Sequence, residues 1–158
     1  MTETNTRDGY PIPKSEWGDG PWQTEPDRLE WRSPHGYPLL MVRGPQGNWC
    51  GYVGLPPGHP WHGKGPGDVD ADVHGGITYA DACHGDICHV PAPGESDDVW
   101  WLGFDCGHAF DGMPAMTALL KQIGHDRDLF GTYRTLDYVK AECESLGDQA
   151  CDASKSAP

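Results

Sequence analysis

The sequence predicts a single α+β domain, a mostly antiparallel sheet of about four to six strands with two C-terminal helices packed on one face. Three observations predict it. Residues 29–55 hold three short apolar runs divided by turn residues, "VWWLGFDC" is almost continuously apolar, and two later segments carry helical spacing. The 158 residues suit one domain of ordinary size. With 22 glycines and 15 prolines, loops must take a large share of the chain.

Residues 1–27 are polar and rich in Pro, Gly, Asp and Glu, which predicts a flexible lead-in. The domain proper then spans residues 28–148. Within it "LEWRS", "YPLLMVRG" and "NWCGYVGL" predict three strands of a meander, separated by the turns "PHG" and "GPQGN". "PPGHPWHGKGPG" contains too much Pro and Gly for a regular element and is a loop. "DVDADVH" alternates strictly, which predicts a strand with Asp68, Asp70, Asp72 and His74 on one face; "ITYA" resumes it after "HGG". "VWWLGFDC" predicts a central strand buried on both faces, ending in a turn that carries Asp105, Cys106 and His108.

Two helices follow. "PAMTALLKQIG" has its apolar stripe at Met116, Leu119, Leu120 and Ile123, with Pro114 in the first turn and Gly124 as a stop. "TLDYVKAECESLG" has its stripe at Leu136, Val139, Cys143 and Leu146, ending at Gly147. Residues 149–158 predict a disordered tail.

A formal charge of −13 with scattered Lys and Arg excludes direct nucleic-acid binding and disfavours anionic membranes. No apolar run reaches membrane-spanning length, and the N-terminus lacks the regions of a signal peptide. A cytoplasmic protein is the expectation. In that reducing compartment clustered cysteines read as metal ligands or buried thiols.

Three constellations carry chemistry. In the first, Cys83, Cys88, His89, Cys106 and His108 supply ligands for a tetrahedral zinc, with Cys50 in reserve. The competing expectation is that Cys83 and Cys88 stabilise a loop, singly or as a disulfide, and that Cys50 and Cys106 are small core residues. In the second, His74, Asp105, His108 and Asp111 meet above the sheet edge as a metal-assisted or acid–base catalytic group. The bland counterpart makes Asp111 a helix cap and His74 a turn residue. In the third, Trp61 closes over a planar ligand, with His59, His62 and Thr78 completing a binding mouth. No phosphate loop, dinucleotide fingerprint, "HExxH" or Gly-x-Ser-x-Gly elbow occurs.

The pieces "WCGYVGLPPGHPWHG", "VHGGITYA", "ICHVPAPGESDDVWWLGFDCGHAFD" and "YRTLDYVKAECESLGDQ" resemble a family of small proteins from bacteriophages, prophages and actinobacteria. The resemblance covers roughly residues 48–149. It implies a phage-associated, cytosolic setting and carries no activity with it. The functional expectation is a small phage-type accessory protein with a Cys/His/Asp metal site, acting as a metal-dependent hydrolase. The alternative is a non-catalytic inhibitor that captures a host protein or a small nucleotide-like ligand. A structural virion component is a third, blander reading.

Overall fold

The computed structural model describes residues 1–4, 10–125 and 131–156. Among these, six strands form one sheet: β1 (Thr2–Thr4), β2 (Arg28–Arg32), β3 (Pro38–Arg43), β4 (Trp49–Leu55), β5 (Tyr79–Ala82) and β6 (Trp100–Asp105). Their spatial order is β1-β2-β3-β4-β6-β5, and every neighbouring pair is antiparallel. Helices α1 (Pro114–Gln122) and α2 (Leu136–Ser156) complete the α+β architecture that the sequence predicts.

The meander follows from its turns. Gly36 and Gly47 adopt left-handed backbone in the β2–β3 and β3–β4 connections, where other residues would be strained. Both hairpins close with short backbone bonds, Ser33 N to Tyr37 O at 2.9 Å and Gly44 N to Asn48 O at 2.7 Å.

Alternation then sorts the strands into two buried faces. Leu39, Met41, Val53, Leu55, Leu102 and Phe104 meet Val139, Cys143 and Leu146 of α2. Leu40, Val42, Tyr52 and Trp101 face the opposite way, under the irregular segment 83–99, whose Ile87 and Val99 pack on them. Gly51 explains how closely α2 approaches: a methyl there would overlap Cys143 Sγ and the Phe104 ring.

The lead-in departs from expectation. Residues 5–9 lie outside the described residues, but β1 pairs with β2, and Ile12 and Trp17 are buried against Ala115 and Ala118. The physical reason is a buried cation. Arg43, fully buried on β3, donates from Nε to Asp27 Oδ1 at 2.9 Å and from Nη1 to Tyr133 Oη at 2.7 Å. Its guanidinium also stacks 4.3 Å from the Trp49 ring. Tyr133 donates to Glu25 Oε1 at 2.5 Å, and Glu25 Oε2 accepts the Leu136 N–H at the start of α2 at 2.7 Å. The acidic residues that make the segment look unfolded are the partners this arginine requires.

Three further expectations are corrected. Residues 69–74 form no strand. Val69 and Val73 do point into the core, yet the backbone is held by α2 side chains: Gln149 bonds both N and O of Asp72 at 2.8 Å, and Glu142 accepts the His74 N–H at 3.0 Å. In α1 the buried positions are Pro114, Ala115 and Ala118, while Ile123 is 62 % exposed. The helix lies on the N-terminal segment rather than on the sheet, and small residues allow that approach. Finally, α2 runs through Gly147 to Ser156 with Ala150 buried, so a tail beginning at residue 149 is not observed; residues 157–158 lie outside the described residues. Gly147 does not stop the helix; it sits where α2 crosses Ser33 and Leu39.

Candidate functional site

The structure brings His74, Asp105, His108 and Asp111 together, with Thr78 beside them. Gly75 and Gly76, both left-handed, turn the chain from the 69–74 segment towards β5. A methyl on Gly75 would overlap the His108 ring, so this turn and the loop after β6 press directly on each other. His74 Nε2 lies 2.8 Å from Asp111 Oδ2, and the two imidazole rings are 6.2 Å apart. Thr78 donates to Asp105 Oδ2 at 2.9 Å.

Residues from α2 and its approach complete the group, and sequence reasoning missed them. Arg134 Nε donates to Asp111 Oδ1 at 3.0 Å, and Tyr138 Oη lies 2.9 Å from His74 Nδ1. The Arg134 guanidinium sits 5.1 Å from the centre of the Tyr138 ring. Part of the signal was present: Tyr138 and Glu142 are spaced by four and share a face of α2, with Arg134 just ahead of its first turn.

The electrostatics of this group are closed. Asp111 is buried and accepts from His74, from Arg134 and from the His108 backbone N–H at 3.1 Å. Burial alone would raise its pKa; those three donors outweigh burial and hold the carboxyl below its ordinary value. Asp111 as a carboxylate can only accept, so His74 donates to it from Nε2, and its Nδ1 shares the second hydrogen bond with the Tyr138 hydroxyl. Every polar atom of the pair is therefore occupied. The His108 ring differs: its Nε2 is 3.3 Å from Asp105 Oδ1, and that nitrogen makes no hydrogen bond.

The expected zinc set is not assembled. Cys83 and Cys88 are joined in a disulfide, the alternative open from the sequence. Cys106 is buried in the main core, and burial, then Asp111, push its thiol far up, against nucleophilic attack. His89 packs edge-on against Trp101, 5.4 Å away, rather than joining Cys106 and His108. Among the described residues no group of three or more His, Cys, Asp or Glu is placed to hold a metal ion.

Nor do His59, Trp61 and His62 form a mouth with Thr78. Trp61 is a core residue beside Val69 and Val73. His59 is buried, its Nε2 2.8 Å from Ala150 O while Nδ1 accepts the Trp61 N–H at 3.0 Å. That pattern requires a neutral ring, and burial, the largest cause, lowers its pKa. His62 instead ties its loop to Asp98, 3.1 Å from the carbonyl oxygen. A loop rich in Pro and Gly looked open but is filled by its own aromatic ring.

A different place is open. Segment 83–99 crosses the sheet as a strap without regular structure. Among the described residues its backbone hydrogen bonds are its own, His84 with Ile87, Glu95 to Ala92 and Val99 to Asp97. Side chains hold it down. Arg28 Nη2 donates to Cys88 O at 2.8 Å, and Arg32 grips both oxygens of Glu95 at 2.8 Å. Between strap and sheet lies a cavity of about 310 Å³, floored by Pro38 and Gly54 and walled by Tyr37 and Val99. Gly54 keeps the floor low, since a methyl would press on Pro38, Val99 and Trp101. His89 lines the cavity, with both ring nitrogens buried and without a hydrogen-bond partner. Burial and then Arg32 lower its pKa, so it is neutral at pH 7.

Two other cavities, of about 410 and 480 Å³, lie beside α1 and at the start of α2. None of the three is lined by His74, Asp105, His108 or Asp111. No helix among the described residues is long and apolar enough to cross a membrane. Compared with known proteins, the chain matches no family model, no curated protein and no solved structure.

Proposed function

We propose that this protein is a small non-catalytic binding protein that captures a small molecule between its strap and its sheet. One observation carries the reading: the cavity over Pro38 and Gly54 has an apolar floor and polar rim, and its size falls at the lower end of small-molecule sites. The strap above it is fixed by side chains, Arg28, Arg32, His62 and its own Ile87 and Val99, rather than by a backbone ladder, so it can shift without breaking the sheet. This agrees with the binding alternative read from the sequence and relocates it from Trp61 to Arg32, His89 and Glu95.

The phage-type accessory role implied by the sequence motifs fits a capture protein. The cytoplasmic placement is harder to reconcile with the Cys83–Cys88 disulfide, which reducing compartments do not ordinarily keep.

The test is a thermal-shift panel of small aromatic acids, amines and neutral heteroaromatics on the wild type and on Ser96→Trp, whose indole would fill the cavity. Saturable stabilisation of the wild type, absent from a folded Ser96→Trp, is the expected result. A panel with no stabilising member overturns the reading.

A second reading, proton transfer through Tyr138, His74 and Asp111, is favoured by one feature. Phe110, next to Asp111, holds a left-handed backbone (φ 72°) and is 78 % exposed, and strain of this kind gathers at working sites. Hydrolysis of activated ester or phosphate substrates that disappears in Tyr138→Phe, with an unchanged melting temperature, would promote it over the first.

A further inference from the structure

The chemistry of the cavity narrows the class of ligand, on the reading that a small molecule binds there. Among its lining residues Arg32 is the only permanent cation and Glu95 the only carboxylate, and they are bound to each other in a fork at 2.8 Å on both sides. Arg32 reaches the rim from β2, where Arg28, Glu30 and Arg32 all face the strap and Leu29 and Trp31 face the core. Glu95 reaches it from the strap, at the end of a tight turn closed by its own N–H on Ala92 O at 3.0 Å.

The pair is half in solvent, with side chains 39 % and 42 % exposed. Such pairs exchange readily because water screens them and two long side chains must be held still. A guanidinium fork matches any carboxylate equally well. Beneath the fork the surface is apolar and narrow: the Tyr37 ring, Pro38, Gly54 and Val99. His89 adds to this wall an imidazole with both ring nitrogens unbonded, one able to donate and one to accept a hydrogen bond.

We propose that the cavity takes a small planar carboxylate, whose carboxyl group replaces Glu95 on Arg32 while its ring lies over Pro38 and Gly54. Glu95 is then a built-in stand-in for the ligand, and the strap opens by the exchange of one carboxylate for another. No covalent step is involved. Competition with Glu95 sets a sign that ordinary pocket binding does not predict: removing the resident carboxylate strengthens binding.

The experiment uses indole-3-carboxylate and its neutral amide as probes, read by ligand-observed NMR titration on the full chain. The acid is expected to bind and the amide to bind at least about tenfold more weakly, the scale of one charge-assisted contact. Arg32→Gln is expected to lower affinity for the acid about tenfold and leave the amide unchanged. Glu95→Gln is expected to raise affinity for the acid about threefold. Far-UV circular dichroism and melting temperature check that each variant is folded.

Equal binding of acid and amide, blocked by Ser96→Trp, would overturn the carboxylate inference while leaving the cavity as the binding site. Weaker binding of the acid to a folded Glu95→Gln would overturn the exchange mechanism. Failure of both probes together with the wider panel would remove the binding reading itself.

Discussion

Two regions of this molecule gather histidines, carboxylates and an arginine on irregular backbone, and they are built on opposite plans. Around Asp111 the carboxylate's own bonds are taken: His74, Arg134 and the His108 N–H converge on it, and Tyr138 closes the far side of His74, with His108 Nε2 the one buried ring nitrogen there that bonds nothing. Around Arg32 the ion pair stands at a rim, over a cavity, beside a histidine whose nitrogens bond nothing. The first is a clasp joining the 74–78 turn, the loop after β6 and α2. The second is an opening with a movable cover. Density of polar residues in a sequence marks both kinds of place; what separates them is whether the bonds are already closed.

The largest effect expected follows from that closure. Asp111→Ala strands Arg134 and His74 in a part-buried space and is expected to cost about 3 kcal/mol. For a chain of this size that lowers the melting temperature by roughly 6–12 °C. A drop of a degree or two in calorimetry would mean that the cluster is not a clasp, and the comparison would fail on its first side. Next in size is the disulfide. Cys83 and Cys88 close a loop of four intervening residues, and replacing both with Ser is expected to cost about 2 kcal/mol. Thiol titration of the denatured, unreduced protein should find only Cys50, Cys106, Cys143 and Cys151; six reactive thiols would remove the staple from the strap.

The fold was legible where local rules and tertiary packing agree. The meander, the buried β6 and the α2 stripe each announce themselves through period and punctuation within a few residues. The failures share one cause, a partner distant in sequence. Residues 10–27 look unfolded until Arg43 supplies the charge that Glu25 and Asp27 bind. The 69–74 segment alternates like a strand, because one side faces the core, yet its backbone is satisfied by Gln149 and Glu142. His74, Asp105, His108 and Asp111 were readable as a group because they lie at turns beside β5 and β6. The cavity was not, since Arg32, Gly54, His89 and Glu95 belong to separate elements and no spacing links them.

Acid unfolding separates the two regions by pH. Asp111 has a folded pKa below its unfolded one, so its contribution is complete above the ordinary carboxylate range and is lost as pH falls through the lowered value. His59 and His89 behave differently. Their folded pKa values are lowered, so above about pH 6.5 both states are neutral and nothing is lost. As pH falls below that, the unfolded chain takes up protons first and stability declines until the folded imidazoles also protonate. Urea midpoints measured from pH 8 to pH 3 should show two declines. His89→Gln should shrink the upper one and Asp111→Asn the lower; a single decline untouched by His89→Gln would show that the buried imidazole is not held neutral.

The smallest effect tests the second side of the comparison most sharply. Arg32→Gln and Glu95→Gln break an ion pair with the same fork geometry that stabilises buried sites, but here the side chains are 39 % and 42 % exposed. Solvent already satisfies both groups, so neither substitution should move the melting temperature measurably. The strap keeps its other holds, the Arg28 bond to Cys88 O and the burial of Ile87 and Val99 against the sheet. If either variant instead melts as low as Asp111→Ala, the rim pair is a second clasp, the cover does not open, and the cavity beneath it is only a gap in packing. If stability is unchanged while affinity for a carboxylate probe shifts in opposite directions in the two variants, the pair is placed for exchange, because no structural role moves binding both ways at constant stability.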